Sequence, residues 1–407
     1  MKKSLLREYA RLIARCGVNV QKGQLVLVYA ELDQPEFVRM VVEEAYKAGA
    51  KEVRVEWDYQ PLAKLHYRYV SQKNLGTVQE WQKARLQYYC DEIPARIHLV
   101  SEDPDGLKGI NIAKMAKARQ MRYPIVKPYS DALEGKQQWC IAAVPGAAWA
   151  KKVFPGLRTS TAIEKLWEAI LTTSRVCEDS VQAWRDHQAD LAGRCAYLNQ
   201  LNIESLHYTA DNGTDLTVGM IPEAQFCGGG ETTQSGVFFQ PNIPTEECFI
   251  SPLRGKAEGI VYATKPLSYQ GQLIENFWVR FADGKAVEVG AEKGEALLKQ
   301  MIAMDEGAAY LGECALVPQT SPINQSNVLF YETLFDENAV CHLALGAGFN
   351  DTIRDYHQKT NEECKALGVN DSMIHVDFMI GCDTMKIEAI CRNGDVVPVF
   401  EQGNWAF

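Results

Sequence analysis

The stretch from Gln24 to Trp57 constrains the fold most, because two β-rich segments bracket a helical one. Gln24 to Tyr29 is a strand candidate. Phe37, Val38, Val41 and Ala45 then recur at helical spacing, with Asp33 positioned to cap their helix and Gly49 to end it, and Glu52 to Trp57 follows as a second strand. A strand-helix-strand order of this length predicts a β-α-β unit with a right-handed crossover. An amphipathic helix through Leu5, Leu6, Tyr9, Leu12 and Ile13 precedes it and stops near Gly17. Strand candidates at Ala95 to Val100 and Trp139 to Val144, with helical segments around Trp81 to Tyr88 and Gly109 to Met121, extend the alternation. The first part of the chain therefore reads as an α/β domain with a mainly parallel sheet.

Phe154-Pro155-Gly156 breaks that pattern, and two helices follow, one through Ile163, Leu166, Trp167 and Ile170 and one carrying Trp184, Leu191 and Leu198. They read as a two-helix connector, with the domain boundary near residue 180. Beyond it the texture changes to strands joined by turn dipeptides. Asn212-Gly213, Asp283-Gly284 and Asn393-Gly394 are each flanked by alternating or β-rich residues, which predicts three hairpins. Helices are expected at Lys293 to Met304 and around Asn361 to Leu367. Residues 1–180 are thus expected to form the α/β domain, and residues 181–407 an α+β domain dominated by antiparallel sheet.

A net charge of −10 and the lack of any basic run exclude a phosphate-backbone binder, so no nucleic-acid partner is expected. Neither GxGxxG nor GxxxxGK[ST] follows a strand, and Gly228-Gly229-Gly230 reads as a tight turn rather than a phosphate loop. No run of about eighteen apolar residues predicts a membrane span, and Arg7 and Glu8 interrupt any signal-peptide core. A cytoplasmic protein is expected. The twelve cysteines are scattered without a CxxC pair and read as buried thiols, including Cys248, Cys314 and Cys341 beside acidic or imidazole residues.

Several polar residues sit inside apolar, β-rich segments of the second half. In Ile374-His375-Val376-Asp377-Phe378, His375 and Asp377 share a strand face, as a hydrogen-bonded pair or as half of a metal site. His342 lies in Cys341-His342-Leu343-Ala344-Leu345, and Glu313 in Leu311-Gly312-Glu313-Cys314-Ala315. A buried acid must be paired, protonated or bound to a cation. Glu246 and Glu247 precede Cys248-Phe249-Ile250 and read either as a solvated strand start or as functional carboxylates. Together Glu247, Glu313, His342, His375 and Asp377 would supply two nitrogens and three carboxylates, a donor set suited to one or two divalent ions of the zinc, cobalt or manganese kind.

Over nearly its whole length the chain resembles the aminopeptidase T and aminopeptidase S family of metallopeptidases. Asn242-Ile243-Pro244-Thr245-Glu246-Glu247 and His375-Val376-Asp377-Phe378-Met379-Ile380-Gly381 carry the resemblance most clearly, with Gly23 to Tyr29, Leu311 to Pro318 and Phe335 to Gly346 in support. The resemblance implies a pair of divalent metals, among zinc, cobalt, manganese and magnesium, bound by Glu247, Glu313, His342, His375 and Asp377. It also implies a homodimer acting on short peptides inside an enclosed cavity. The family has a tyrosine seven residues after the first histidine ligand; here that position is Phe349, which offers no hydroxyl, and a local shift would be needed to bring Tyr356 or His357 in its place.

The expected activity is release of N-terminal amino acids from short peptides, with Glu246, on the opposite strand face from Glu247, as the general base. The alternative, suggested by Phe349, is a catalytically impaired metal-binding protein serving as a binding or scaffold module.

Overall fold

The structure is a computed structural model that describes residues 2–407. Two compact units partition the chain: residues up to 186 with 230–244 and 270–272, and residues 187–229 with 245–269 and 273–407.

The first unit is built on a parallel sheet. Its strands β1 (Leu25–Glu31), β2 (Glu52–Asp58), β3 (Ala95–Val100) and β4 (Trp139–Ala143) lie in the order β2-β1-β3-β4. Leu25 to Val28 are all buried, as expected for a central strand covered on both faces. The crossover helix Pro35–Ala48 buries Phe37, Val38, Met40, Val41 and Ala45, and Gly49 ends it in the left-handed region at φ 114°. Its start differs from expectation. Gln34 occupies the cap position with no side-chain bond, while Asp33 accepts a hydrogen bond from Ser101 Oγ at 3.2 Å. Pro35 in the first turn lacks an N–H, so one donor that a cap would satisfy does not exist.

A fifth strand joins this sheet from far along the chain. Asn242 and Ile243 pair in parallel with Ile141 and Ala142 of β4. Two residues carry no periodicity, so nothing local marks them as a strand.

The second unit is antiparallel. A nine-stranded sheet contains all three expected hairpins: Ile203–Thr209 with Asp215–Met220, Gln272–Ala282 with Lys285–Lys293, and Lys386–Cys391 with Val396–Glu401. Asp283 and Gly284 both have positive φ, 49° and 75°, the primed geometry that matches strand twist. A four-stranded sheet runs in the order β5 (Cys248–Ile250), β6 (Leu311–Leu316), β7 (His342–Gly346), β8 (His375–Met379).

Register gives the small sheet two different faces. Phe249 pairs with Ala315, Ala315 with His342, Glu313 with Ala344, Ala344 with Asp377, and Gly346 with His375. Directly opposed residues point the same way, so these residues share one face. Cys248, Ile250, Cys314, Leu343, Leu345 and Phe378 take the other and are buried, Phe378 against Phe277 of the large sheet with ring centroids 5.8 Å apart. Cys248, Cys314 and Cys341 are therefore core, as read from sequence, whereas Cys177 is exposed and Cys16, Cys90, Cys227 and Cys382 are only partly buried.

Candidate metal centre

Strand alternation brings five polar side chains onto the functional face. Glu313 comes from β6, His342 from β7, His375 and Asp377 from β8, and Glu247 from the residue before β5. Ala315, Ala344 and Gly346 between them keep the middle of that face free of bulk. Gly346 has φ +110°, and a Cβ there would collide with the Ile374 carbonyl. A Cβ on Gly228 would lie 2.5 Å from the Glu247 carbonyl, so the glycine run serves close packing beneath this site.

Ligand atoms of Glu247, Glu313 and His342 lie within 4.8 Å of one another, and so do those of Glu313, His375 and Asp377. Glu313 belongs to both triads. His342 Nε2 is 3.2 Å from Glu247 Oε2, and His375 Nε2 is 3.0 Å from Glu313 Oε2 and 3.1 Å from Asp377 Oδ1. Each Nδ1 faces a carbonyl, His375 that of Ala347 at 2.7 Å and His342 that of Val340 at 3.4 Å. Donation from Nδ1 to those oxygens fixes each ring with Nε2 aimed at the carboxylates, the arrangement that orients metal-binding imidazoles.

The electrostatics fit a cation. Burial raises the Glu313 carboxyl to about 7, with Asp377 and Glu247 adding to the rise and His375 opposing it. Burial disfavours a charged His342, yet Glu247, Glu313 and Asp377 outweigh it and lift the imidazole to about 9. Burial opposes charge on Asp377, yet His375, His342 and Glu337 outweigh it and hold the carboxyl below the usual carboxylate range. Negative charge thus converges in a buried place, where carboxylates are costly unless paired, protonated or bound to a metal.

A sixth residue, Glu337, was not anticipated. It lies in the short turn Glu337–Ala339, and burial plus the charges of Asp377, Glu247 and Glu313 hold its carboxyl well above the usual range. Its carboxyl also hydrogen-bonds Asp377. In sequence it sits in Asp336-Glu337-Asn338, a polar run that reads as a solvated turn. Asn338, fully buried, ties this turn to the strand start: its Oδ1 accepts from the Glu246 N–H at 2.7 Å, and its Nδ2 donates to the Leu334 carbonyl at 3.0 Å and to Glu337 Oε1 at 3.3 Å.

Glu246 and Glu247 diverge. Glu246 is 6% exposed and its Oε2 lies 3.8 Å from His187 Nε2, outside both triads. Tyr356 packs beside the Ile221, Ile353, Cys364 and Val369 cluster, and His357 is exposed, so neither joins the carboxylates. Phe349 does reach the site: its ring lies 4.6 Å from that of His375.

A buried sheet face that gathers imidazoles and carboxylates around a shared glutamate defines a metalloprotein. The chain belongs to the thermophilic metalloprotease family M29, which it matches over residues 2–405. It is 43% identical to aminopeptidase AmpS of Bacillus subtilis over 99% of this chain and 98% of the relative. It is 37% identical to aminopeptidase T of Thermus aquaticus over 98% of each chain. The structure of wild-type AmpT from Thermus thermophilus superimposes with a TM-score of 0.89 at 36% identity, covering all of both chains. The parallel sheet of one unit and the antiparallel sheets of the other belong to that fold. No helix among the described residues is long and apolar enough to cross a membrane.

Proposed function

We propose that the protein is a metal-dependent aminopeptidase that releases N-terminal residues from short peptides, with two divalent ions held by Glu247, Glu313, His342, His375 and Asp377. The membership of Glu313 in both triads is the observation that carries this reading. Bound divalent ions would supply a Lewis acid for the scissile carbonyl and acidify water. The mixed imidazole and carboxylate donors suit zinc, cobalt or manganese better than calcium, with magnesium a weaker fit.

The chain's own groups do the rest. His342 and His375, fixed through Nδ1, orient the site, and the carboxylates balance the charge of a substrate's free amine, which restricts attack to chain ends. Glu246 lies beside His187, so we assign proton transfer to Glu337, whose carboxyl hydrogen-bonds Asp377 beside the triads. Phe349 offers no hydrogen bond to a developing oxyanion. The scaffold alternative has no support: all five donor side chains are present, and the relatives are named aminopeptidases. The family resemblance favours a homodimer, and twelve cysteines with no disulfide among the described residues suit the cytoplasm.

Protein never exposed to chelator should carry about two metal ions per chain by elemental analysis. It should cleave leucine or arginine anilides, lose that activity to chelator and regain it with cobalt or zinc. Absence of turnover with zinc, cobalt, manganese and magnesium alike would overturn the reading.

A further inference from the structure

The functional face carries two large apolar side chains among its polar ones: Met379, opposite His342 and buried, and Phe249, which is partly open to solvent. Phe249 follows Glu247 by two residues on the same side of β5 and stands opposite Ala315, which is itself opposite His342. It is half-buried. Phe349 meets it nearly perpendicularly, with ring centroids 5.6 Å apart and planes at 74°, and reaches His375 on its other side.

Phe349 is 37% exposed although its backbone is pinned. Its N–H donates to Ser251 Oγ at 2.8 Å, and its carbonyl accepts from Ser251 Oγ at 3.1 Å and from Thr352 Oγ1 at 2.7 Å. Ser251 follows Phe249 by two residues, just past the end of β5, so a single stretch of backbone sets both rings. An aromatic held this firmly, yet left open to solvent beside a buried polar cluster, is poised for contact with a ligand rather than for core packing.

We infer that Phe249 and Phe349 form an apolar shelf for the side chain of the substrate's N-terminal residue, and that the protein prefers peptides beginning with a bulky apolar residue. The inference rests on the aminopeptidase reading. A peptide whose amine and first carbonyl sit at the triads has its first Cβ within a few ångströms of them, so its side chain must lie on the adjoining surface. The rings beside His375 are that surface. Phenylalanine at 349 keeps the shelf apolar at the edge nearest the polar cluster, where a hydroxyl would interrupt it.

The test uses two readouts on the metal-loaded protein. In the first, kcat/KM for phenylalanyl and alanyl anilides is compared in wild type, Phe249→Ala and Phe249→Leu. In the second, calorimetry compares binding of free L-phenylalanine with L-alanine. Wild type should favour the aromatic partner by about 10- to 100-fold in both. Phe249→Ala should reduce that ratio to within about threefold, mainly through loss on the aromatic partner, and Phe249→Leu should keep part of it. Metal content and thermal midpoint confirm that each variant is folded. Ratios near one in wild type, or unchanged in Phe249→Ala, overturn the shelf. Lack of turnover with an intact binding preference overturns catalysis and leaves the shelf standing.

Discussion

Phe349 lays its ring against His375, with centroids 4.6 Å apart and planes tilted by 46°. The aromatic body expected near the site is therefore in place, and what it lacks is a hydroxyl.

Restoring that group is the direct test. Phe349→Tyr should raise kcat by about 10- to 100-fold with a smaller change in KM, because an oxyanion donor acts on the transition state rather than on substrate binding. Steady-state kinetics on a leucine anilide reads this. Unchanged kcat would mean that position 349 does not face the developing charge.

Glu313 is shared by the two triads, whereas Glu247 and Asp377 serve one each. Glu313→Gln should lower metal content below that of either Glu247→Gln or Asp377→Asn and cut turnover by roughly 1000-fold or more. Elemental analysis of the three variants gives the ranking; equal metal content in all three would show that Glu313 is not shared.

Asn338 joins the Glu246 N–H, the Leu334 carbonyl and Glu337. Asn338→Ala strips partners from buried groups and should destabilise the fold by about 2 to 4 kcal/mol. Denaturant unfolding measures this. Weaker metal binding should accompany it, because the start of β5, and with it Glu247, loses its tether.

His98 gives a pH dependence separate from the metal centre. Burial, with a smaller contribution from Arg96, lowers its imidazole from 6.5 to about 4 in the folded state, where it stacks on Tyr29 at 4.7 Å. The unfolded chain takes up the proton first, so this contribution is present above pH 6.5 and is lost as the pH falls toward 4. His98→Phe keeps the stacking and removes the titration. Between pH 7 and pH 4 the variant should lose about 2 to 3 kcal/mol less stability than wild type, by urea unfolding at the two pH values.

Local pattern was enough for much of this protein. Hydrophobic periodicity marked β1, β2 and the helix between them, and Asn212-Gly213, Asp283-Gly284 and Asn393-Gly394 each join the strands they were expected to join. Those signals work because turn geometry and side-chain direction are set within a few residues. The same alternation put His375 with Asp377 and separated Glu246 from Glu247. Tertiary structure decided what depends on distant partners. Asn242 and Ile243 are a strand only because β4 has a free edge. Glu337 reaches the carboxylates only because Asn338 folds its turn onto the start of β5. A short polar turn carries the same local pattern in solvent or over a metal site, and only the packing around it distinguishes the two.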